Sequence, residues 1–372
     1  MTVTAFDAMN DALEQGKGVG FEMKPGFTTH WPMGADALIE LGHPDLVHDW
    51  VDQFLLRHKH FERPAPRKPI EFGDPAECQA ARGDFDRVGD WLVGFEHELA
   101  ERPWQEVLVE WWPRLILGCS AGLTHSLIRT MHAVRSLDRN GEDATELQRS
   151  ELAMALAYWA GRYVEQPARS ELQGEASLQE VLAALPRLDP DSKIGLRDKG
   201  LFLHMPDIPG WGEEIDLLAP PADIEAAFSD LILVFVQAQL AHPELFPIPQ
   251  VHATTAPAAM RVMLNYLPED LHLVSYVAAY QACAALTTTF LQHDEEELRL
   301  TPNEELPTPA SPEELVANAV EHADMHSIKV TEACLREYAI RADERYLQLP
   351  QRIIDTLPPF FRGDHPRAKQ AA

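Results

Sequence analysis

The stretch EHADMHSIKVTEAC, Glu321 to Cys334, sets a lysine three residues after a histidine along an apolar stripe. Val316, Ala319, Val320, Ala323, Val330 and Ala333 recur at three- and four-residue steps, the pattern of an amphipathic helix with one face in a core. His326 falls inside that stripe, and Lys329 follows it on the same side, so both side chains project toward one interior region. Three more histidines stand among apolar and small residues: His30 in PGFTTHWPMGADAL, His125 in GCSAGLTHSLIRTMHAVRSL and His252 in PIPQVHATTAPAAM. Neutral imidazole binds divalent transition metals, so four such groups brought inside together would make a metal site. Taken singly, each reads equally as a satisfied core histidine, and their wide spacing lacks a short signature such as HExxH.

Lys329 admits two readings as well. In one it snorkels to solvent or pairs with a carboxylate such as Glu332. In the other, burial beside a metal lowers its pKa, and the neutral amine ligates or takes up carbon dioxide as a carbamate, an anionic oxygen ligand. His132, seven residues past His125 on the same helix face, and His322, four before His326, compete for a place. By contrast, His43, His48, His58, His60, His97, His242, His293 and His365 lie beside charges or loop residues and read as solvated polar groups.

The elements that must position these residues read as helices. Apolar residues fall at helical steps in ADALIELG, DLVHDWVDQFLLRH, DFDRVGDWLVGFEHELAE, SELAMALAYWAGRYV, ASLQEVLAALPRL, DIEAAFSDLILVFVQAQLA and LHLVSYVAAYQACAALTTTFLQ. Two longer runs, Glu106 to Leu137 and Glu313 to Arg341, read as single long helices. Asp36 or Asp45 would start early helices, and Ser311-Pro-Glu-Glu opens the last long one as N-cap, first-turn proline and acids beside the positive helix end. Few runs alternate as strands do. Proline interrupts the pattern at Pro64 to Pro69, Pro186 to Pro221 and Thr301 to Pro312. The middle region carries Leu201, Phe202, Leu203, Met205, Ile208 and Trp211, too apolar for a solvated tether, and reads as a long ordered loop packed over the bundle as a lid. The expected fold is all-α: one multi-helix bundle spanning the chain, with its core over about residues 27–340.

Composition narrows the function. The chain has 372 residues, 45% of them hydrophobic, and a formal net charge of −28, which disfavours nucleic acid and anionic membrane as partners. No uncharged apolar run reaches the eighteen or more residues of a membrane span, and the N-terminus lacks the basic and apolar regions of a secretory signal, so a cytoplasmic protein is expected. Four scattered cysteines without CxxC spacing read as free thiols.

Five segments in order, TTHWPMGADALIELG, GLTHSLIRTMHAVRSL, SELAMALAYWAGRYV, VHATTAPAAMRVMLNYLP and MHSIKVTEACLREY, resemble segments of the questin oxidase family, from about Phe27 to Tyr338. Fungal members of that family oxidatively open the ring of anthraquinones such as questin, a Baeyer–Villiger-like oxygen insertion. The resemblance implies a mononuclear non-haem iron site with His30, His125, His252 and His326 as imidazole ligands and a carboxylated Lys329 as the fifth. It also implies one domain, since ligands from both ends of the chain meet only if the first and last helices pack together. Fungal members tend to carry a second histidine one turn after the first in the central motif, where this chain has Arg129, with His132 further on.

If the resemblance holds, five ligands leave one octahedral position open, with molecular oxygen and a planar hydroxyquinone or hydroquinone as partners. Trp31, Trp159, Tyr163, Tyr276 and Phe290 are candidate walls of the substrate slot; Arg129 would hold a substrate oxyanion and His132 would accept a proton. NADPH is a compatible electron donor, although the sequence has no site for it. Flavin is disfavoured because GKGVG near the N-terminus falls short of GxGxxG and follows no strand. A zinc-dependent hydrolase could use the same histidines, and a metal-free helical binding protein would keep them as core residues. A di-iron bundle needs two inward ExxH motifs, whereas Glu40-Leu-Gly-His43 is the one nominal match.

Overall fold

The computed structural model describes residues 3–166, 172–188, 205, 208–242, 247–291 and 308–360. Helices dominate it. The first group is α1 (Ala5–Gln15), α2 (Trp31–Glu40), α3 (Pro44–Arg57), α4 (Pro75–Ala81), α5 (Val88–Glu101) and α6 (Trp104–Leu115). Next come α7 (His125–Asn140), α8 (Glu146–Gly161), α9 (Leu178–Ala184), α10 (Trp211–Ile215), α11 (Ile224–Ala241) and α12 (Ile248–Leu264). The last four are α13 (His272–Phe290), α14 (Pro312–His322), α15 (Met325–Ile340) and α16 (Arg345–Thr356). The expected all-α class is met, with one addition: a small antiparallel sheet of β1 (Val19–Met23), β2 (Phe27–Thr28) and β3 (His60–Glu62), in the order β2-β1-β3. Glu22 pairs with Thr28 and Met23 with both Phe27 and His60, so the sheet ties the segment before His30 to the end of α3. Strands of two to five residues are too short for periodicity to reveal them.

Two helices read as continuous are broken, each just before a candidate ligand. The run from Glu106 ends α6 at Leu115, passes through a 3-10 turn, and crosses Gly122, Leu123 and Thr124, all left-handed at φ 59°, 57° and 65°, before α7 begins at His125. The run from Glu313 breaks at Ala323, φ 59°, and Asp324 caps α15 by accepting from the His326 amide. Apolar periodicity misses these breaks because the helices on either side bury faces in adjoining cores. Asp36 is likewise no cap: it lies inside α2, fully buried. Asp45 sits in the first turn of α3 behind His43 and Pro44, and Ser311 forms the expected capping box with Glu314.

Three apolar clusters fill the interior. The largest is centred on α5 to α8 and α11 to α13; a second joins α1 to α3 with α14 and α15; a third joins α11, α12, α15 and α16. Helix α11 is long and apolar enough to cross a membrane by length and composition, but 61% of it is buried within the fold, as befits a core helix. Of the proline-rich middle region, Met205 and Trp211 are buried and Ile208 is packed against the core, while Leu201, Phe202 and Leu203 lie outside the described residues, as do His293 and His365. His242, expected in solvent, is buried at 6% exposure at the end of α11, where its carbonyl accepts from Arg352.

Candidate metal centre

Four helices close a ring: α2 packs on α7, α7 on α12, α12 on α15, and α15 back on α2. Each brings a histidine near its N-terminus. His30 is the residue before α2, His125 the first of α7, His326 the second of α15, and His252 the fifth of α12. The positive end of a helix dipole disfavours a protonated imidazole.

The rings meet. His30 Nε2 lies 2.9 Å from His125 Nε2, and His252 Nε2 lies 3.1 Å from the same atom. The His326 ring stands edge-on to His30 with centroids 5.1 Å apart, and 6.4 Å from His252. All four are buried, at 2% to 6% exposure. Among the described residues, no three His, Cys, Asp or Glu side chains form a ready-made metal-holding group; the imidazole nitrogens run as a chain through His125 rather than around one point.

The other ring nitrogens decide what those Nε2 atoms are. His30 Nδ1 is 2.7 Å from the Thr28 carbonyl, His125 Nδ1 is 2.6 Å from that of Gly122, and His252 Nδ1 is 2.9 Å from that of Ile248. A carbonyl only accepts, so each Nδ1 carries the proton and each neutral ring presents a lone pair at Nε2. Lone pairs facing one another at these distances repel unless a proton or a cation lies between them. A proton would put charge into a buried site: burial, then Lys329, holds the His30 pKa far below its usual value; burial, then His252, does the same for His125. His252 is pushed down to about 3, mainly by burial and then by Lys329. Two nitrogens bound at right angles to one ion at roughly 2.0–2.1 Å stand about 2.9 Å apart, so the observed separations suit adjacent ligands. Pair by pair, His30 with His125 and His125 with His252, the spacings suit a divalent transition metal, although the rings do not surround one point.

Lys329 is 5% exposed, and burial pulls its pKa down to about 7 against the opposing pull of Asp324. Its charge depresses His30, His125 and His252 alike, so it stands within electrostatic reach of all three. Solvent snorkelling is therefore not what this lysine does.

Sequence reasoning missed the groups that hold the rings. Asp324 accepts from both the backbone N–H and Nδ1 of His326, at 2.8 and 3.1 Å. Burial raises its pKa, but the hydrogen bonds and charge of His326 outweigh this and leave it below the usual range. Tyr158 packs beside two of the residues whose carbonyls hold the rings: its hydroxyl is 2.7 Å from Thr28 Oγ1, and its ring lies where a Cβ on Gly122 would come within 2.8 Å. Gly122 is thus required twice over, for its left-handed φ and for room beside Tyr158. The one signal for Asp324 was an Asp two residues before His326, which reads as an N-cap.

The remaining candidates separate. Arg129 and Trp31 both line a cleft of about 800 Å³ bounded by α1, α5 and α8. Arg129 Nε and Nη2 donate to the two oxygens of Glu151 at 2.6 and 2.8 Å. His132 turns to Asp36, 2.8 Å from Nδ1, in a network with Arg135, Arg139 and Glu332. His322 likewise binds Ser327 and the Leu357 carbonyl. Tyr163 packs on Gly118 and under the Arg82 guanidinium, 4.2 Å from its ring centre, away from the cleft. Trp159 and Tyr276 are core residues, the first donating to the Gly118 carbonyl and the second edge-on to Phe228; Phe290 packs at the margin of that core. All four cysteines are free and buried. No family model matches the chain, and no curated protein does.

Proposed function

We propose that this protein is a non-haem iron-dependent oxygenase that cleaves a ring of an anthraquinone-like or other aromatic polyketide substrate. The observation that carries the reading is the meeting of His30, His125 and His252 through lone-pair-bearing Nε2 atoms, each ring fixed by a carbonyl at Nδ1. The segment resemblance supplies the choice of iron and of substrate class. His30, His125, His252 and His326 would hold the ion, with Lys329 as fifth ligand, carboxylated as the resemblance implies. Iron in such a site supplies a one-electron path between molecular oxygen and an electron-rich ring.

The chain's own residues do the rest. Thr28, Gly122, Ile248 and Asp324 keep the Nδ1 protons in place, so that each Nε2 faces inward. The apolar clusters around the ring of helices exclude water. Arg129, its charge balanced by Glu151, and Trp31 face the substrate from the cleft. His132 shares Asp36 with two arginines, an arrangement that suits a fixed structural role better than proton uptake, and burial keeps its pKa low. NADPH remains a compatible electron source.

The four imidazoles also suit zinc, so a hydrolase is the second reading. One experiment separates them: elemental analysis of the purified protein beside His326→Ala and Lys329→Ala, with oxygen uptake measured on hydroxyanthraquinones. About one iron per chain, sharply reduced in both variants, together with substrate-dependent oxygen uptake is expected. Zinc without oxygen uptake selects the hydrolase. No transition metal even after anaerobic loading with ferrous ion sinks the site and leaves a helical binding protein.

A further inference from the structure

The cleft of about 800 Å³ lies within the range of small-molecule sites, and its lining joins apolar side chains, Leu13, Val19, Leu99 and Met154 among them, to a few polar groups. Two of the polar groups are incompletely satisfied. Trp31 Nε1 and Arg129 Nη1 are buried without an acceptor, although their residues are only 3% and 1% exposed. Leaving a buried donor unpaired is destabilising, more so for a charged group. Both residues line the cleft, so a molecule bound there can bring the acceptor that they lack. Both residues also border the candidate metal centre in the chain: Trp31 follows His30, and Arg129 lies one helical turn past His125.

The packing holds them as fixed donors. The Trp31 indole lies against Gly16, where a Cβ would come within 2.1 Å of the ring, so α1 presses it into place. Arg129 is locked by the two-point pair with Glu151, which leaves only Nη1 to a ligand. Neither group can accept a hydrogen bond, so the complementary ligand atom is an acceptor, and the guanidinium favours one that carries negative charge. The formal charges on the lining balance, four cationic residues against four glutamates, in a chain of net charge −28. The cleft is therefore far less hostile to an anion than the average surface.

We infer that this cleft binds an apolar, ring-sized molecule carrying one oxyanion, a carboxylate or an ionised phenol, with the oxyanion seated on Trp31 Nε1 and Arg129 Nη1. This deepens the oxygenase reading, since it names which end of the substrate is gripped, but it can fail separately.

The probe is 2-naphthoate, with 2-naphthylmethanol as its neutral counterpart of similar size, titrated calorimetrically into the full chain with and without bound ferrous ion. The naphthoate should bind one to one and at least about tenfold tighter than the alcohol. Trp31→Phe, which removes one donor and keeps the ring, should weaken naphthoate about fivefold and leave the alcohol unchanged. The double variant Arg129→Gln/Glu151→Gln removes the pair without stranding a buried charge and should abolish the preference for the acid. Equal affinity for acid and alcohol, no binding of either, or a preference for the acid that survives Trp31→Phe unchanged would overturn the inference, whether or not the double variant folds. Metal content is read in the same samples: iron bound with no naphthoate selectivity overturns this inference alone, while naphthoate selectivity without metal supports it and overturns the oxygenase reading.

Discussion

A buried imidazole has one nitrogen to give away and one to use, and at His326 the first is spent on a carboxylate rather than a carbonyl. Asp324 takes the Nδ1 proton and the His326 amide together, so one side chain caps α15 and orients a candidate ligand. The two roles separate by substitution. Asn caps a helix about as well as Asp, so Asp324→Asn should change the thermal midpoint little, while metal affinity falls roughly 10- to 100-fold as a neutral partner replaces the carboxylate. Competition against a chromophoric chelator measures the second, calorimetry the first. Loss of stability with full metal affinity would reduce Asp324 to a cap. Tyr158 invites a related test, since Tyr158→Phe removes the hydroxyl beside Thr28 and keeps the ring against Gly122. A several-fold loss of metal affinity with a folded protein is expected, on the order of the hydrogen bond with Thr28; the hydroxyl also donates to Glu22 at 3.2 Å.

At the scale of elements, the decisive feature is the interruption of a helix that looked continuous. Ala323 sits at φ 59° between α14 and α15, 1% exposed, with its carbonyl accepting from Trp50 Nε1 at 2.9 Å. A non-glycine residue pays roughly 1–2 kcal/mol in that conformation, so Ala323→Gly should raise stability by up to about 1 kcal/mol after the entropy of the unfolded chain is counted. In an unbroken helix the same change would lower stability by about 1 kcal/mol. The sign of the shift in urea midpoint thus tells which backbone is present. The break matters because it starts α15 at the site, turning His326 from a mid-helix residue into a first-turn one.

Across the whole molecule, a buried ion network ties three of the four ring helices together. Asp36 on α2 meets Arg135 and Arg139 on α7, at 2.6 Å each, and Arg135 meets Glu332 on α15, also at 2.6 Å; Arg336 pairs with Glu332 as well. Burial alone would raise both acids, but Arg135 outweighs it, holding Glu332 at about 2 against its usual 4.5 and Asp36 below the carboxylate range. Because the folded values are depressed, this stabilisation is fully present above the unfolded pKa and is lost as pH falls from about 4.5 toward 2. Urea midpoints should therefore drop steeply across that window. Glu332→Gln should flatten part of the slope while lowering stability at neutral pH, where Arg135 loses a partner; an unchanged slope would remove Glu332 from the network's contribution.

Local signals along the chain determine a good deal. Helical periodicity, the Ser311 cap and the charge balance are written in neighbouring residues, because a helix closes its hydrogen bonds within four positions and a cap within three. The small residues around His125 and the lysine after His326 likewise marked where chemistry was worth seeking. What needed the folded chain was the meeting itself. His30 and His125 are 95 residues apart and His125 and His252 are 127 apart, so their contact depends on how four helices close into a ring, a matter of packing that no local pattern encodes. The His125 tautomer was equally out of reach, since the carbonyl that fixes it belongs to Gly122, in a left-handed turn packed beside the Tyr158 ring. His132 and Tyr163 show the converse: each looks chemical in the chain, and only tertiary partners, Asp36 for one and Arg82 for the other, decide that their side chains are occupied elsewhere.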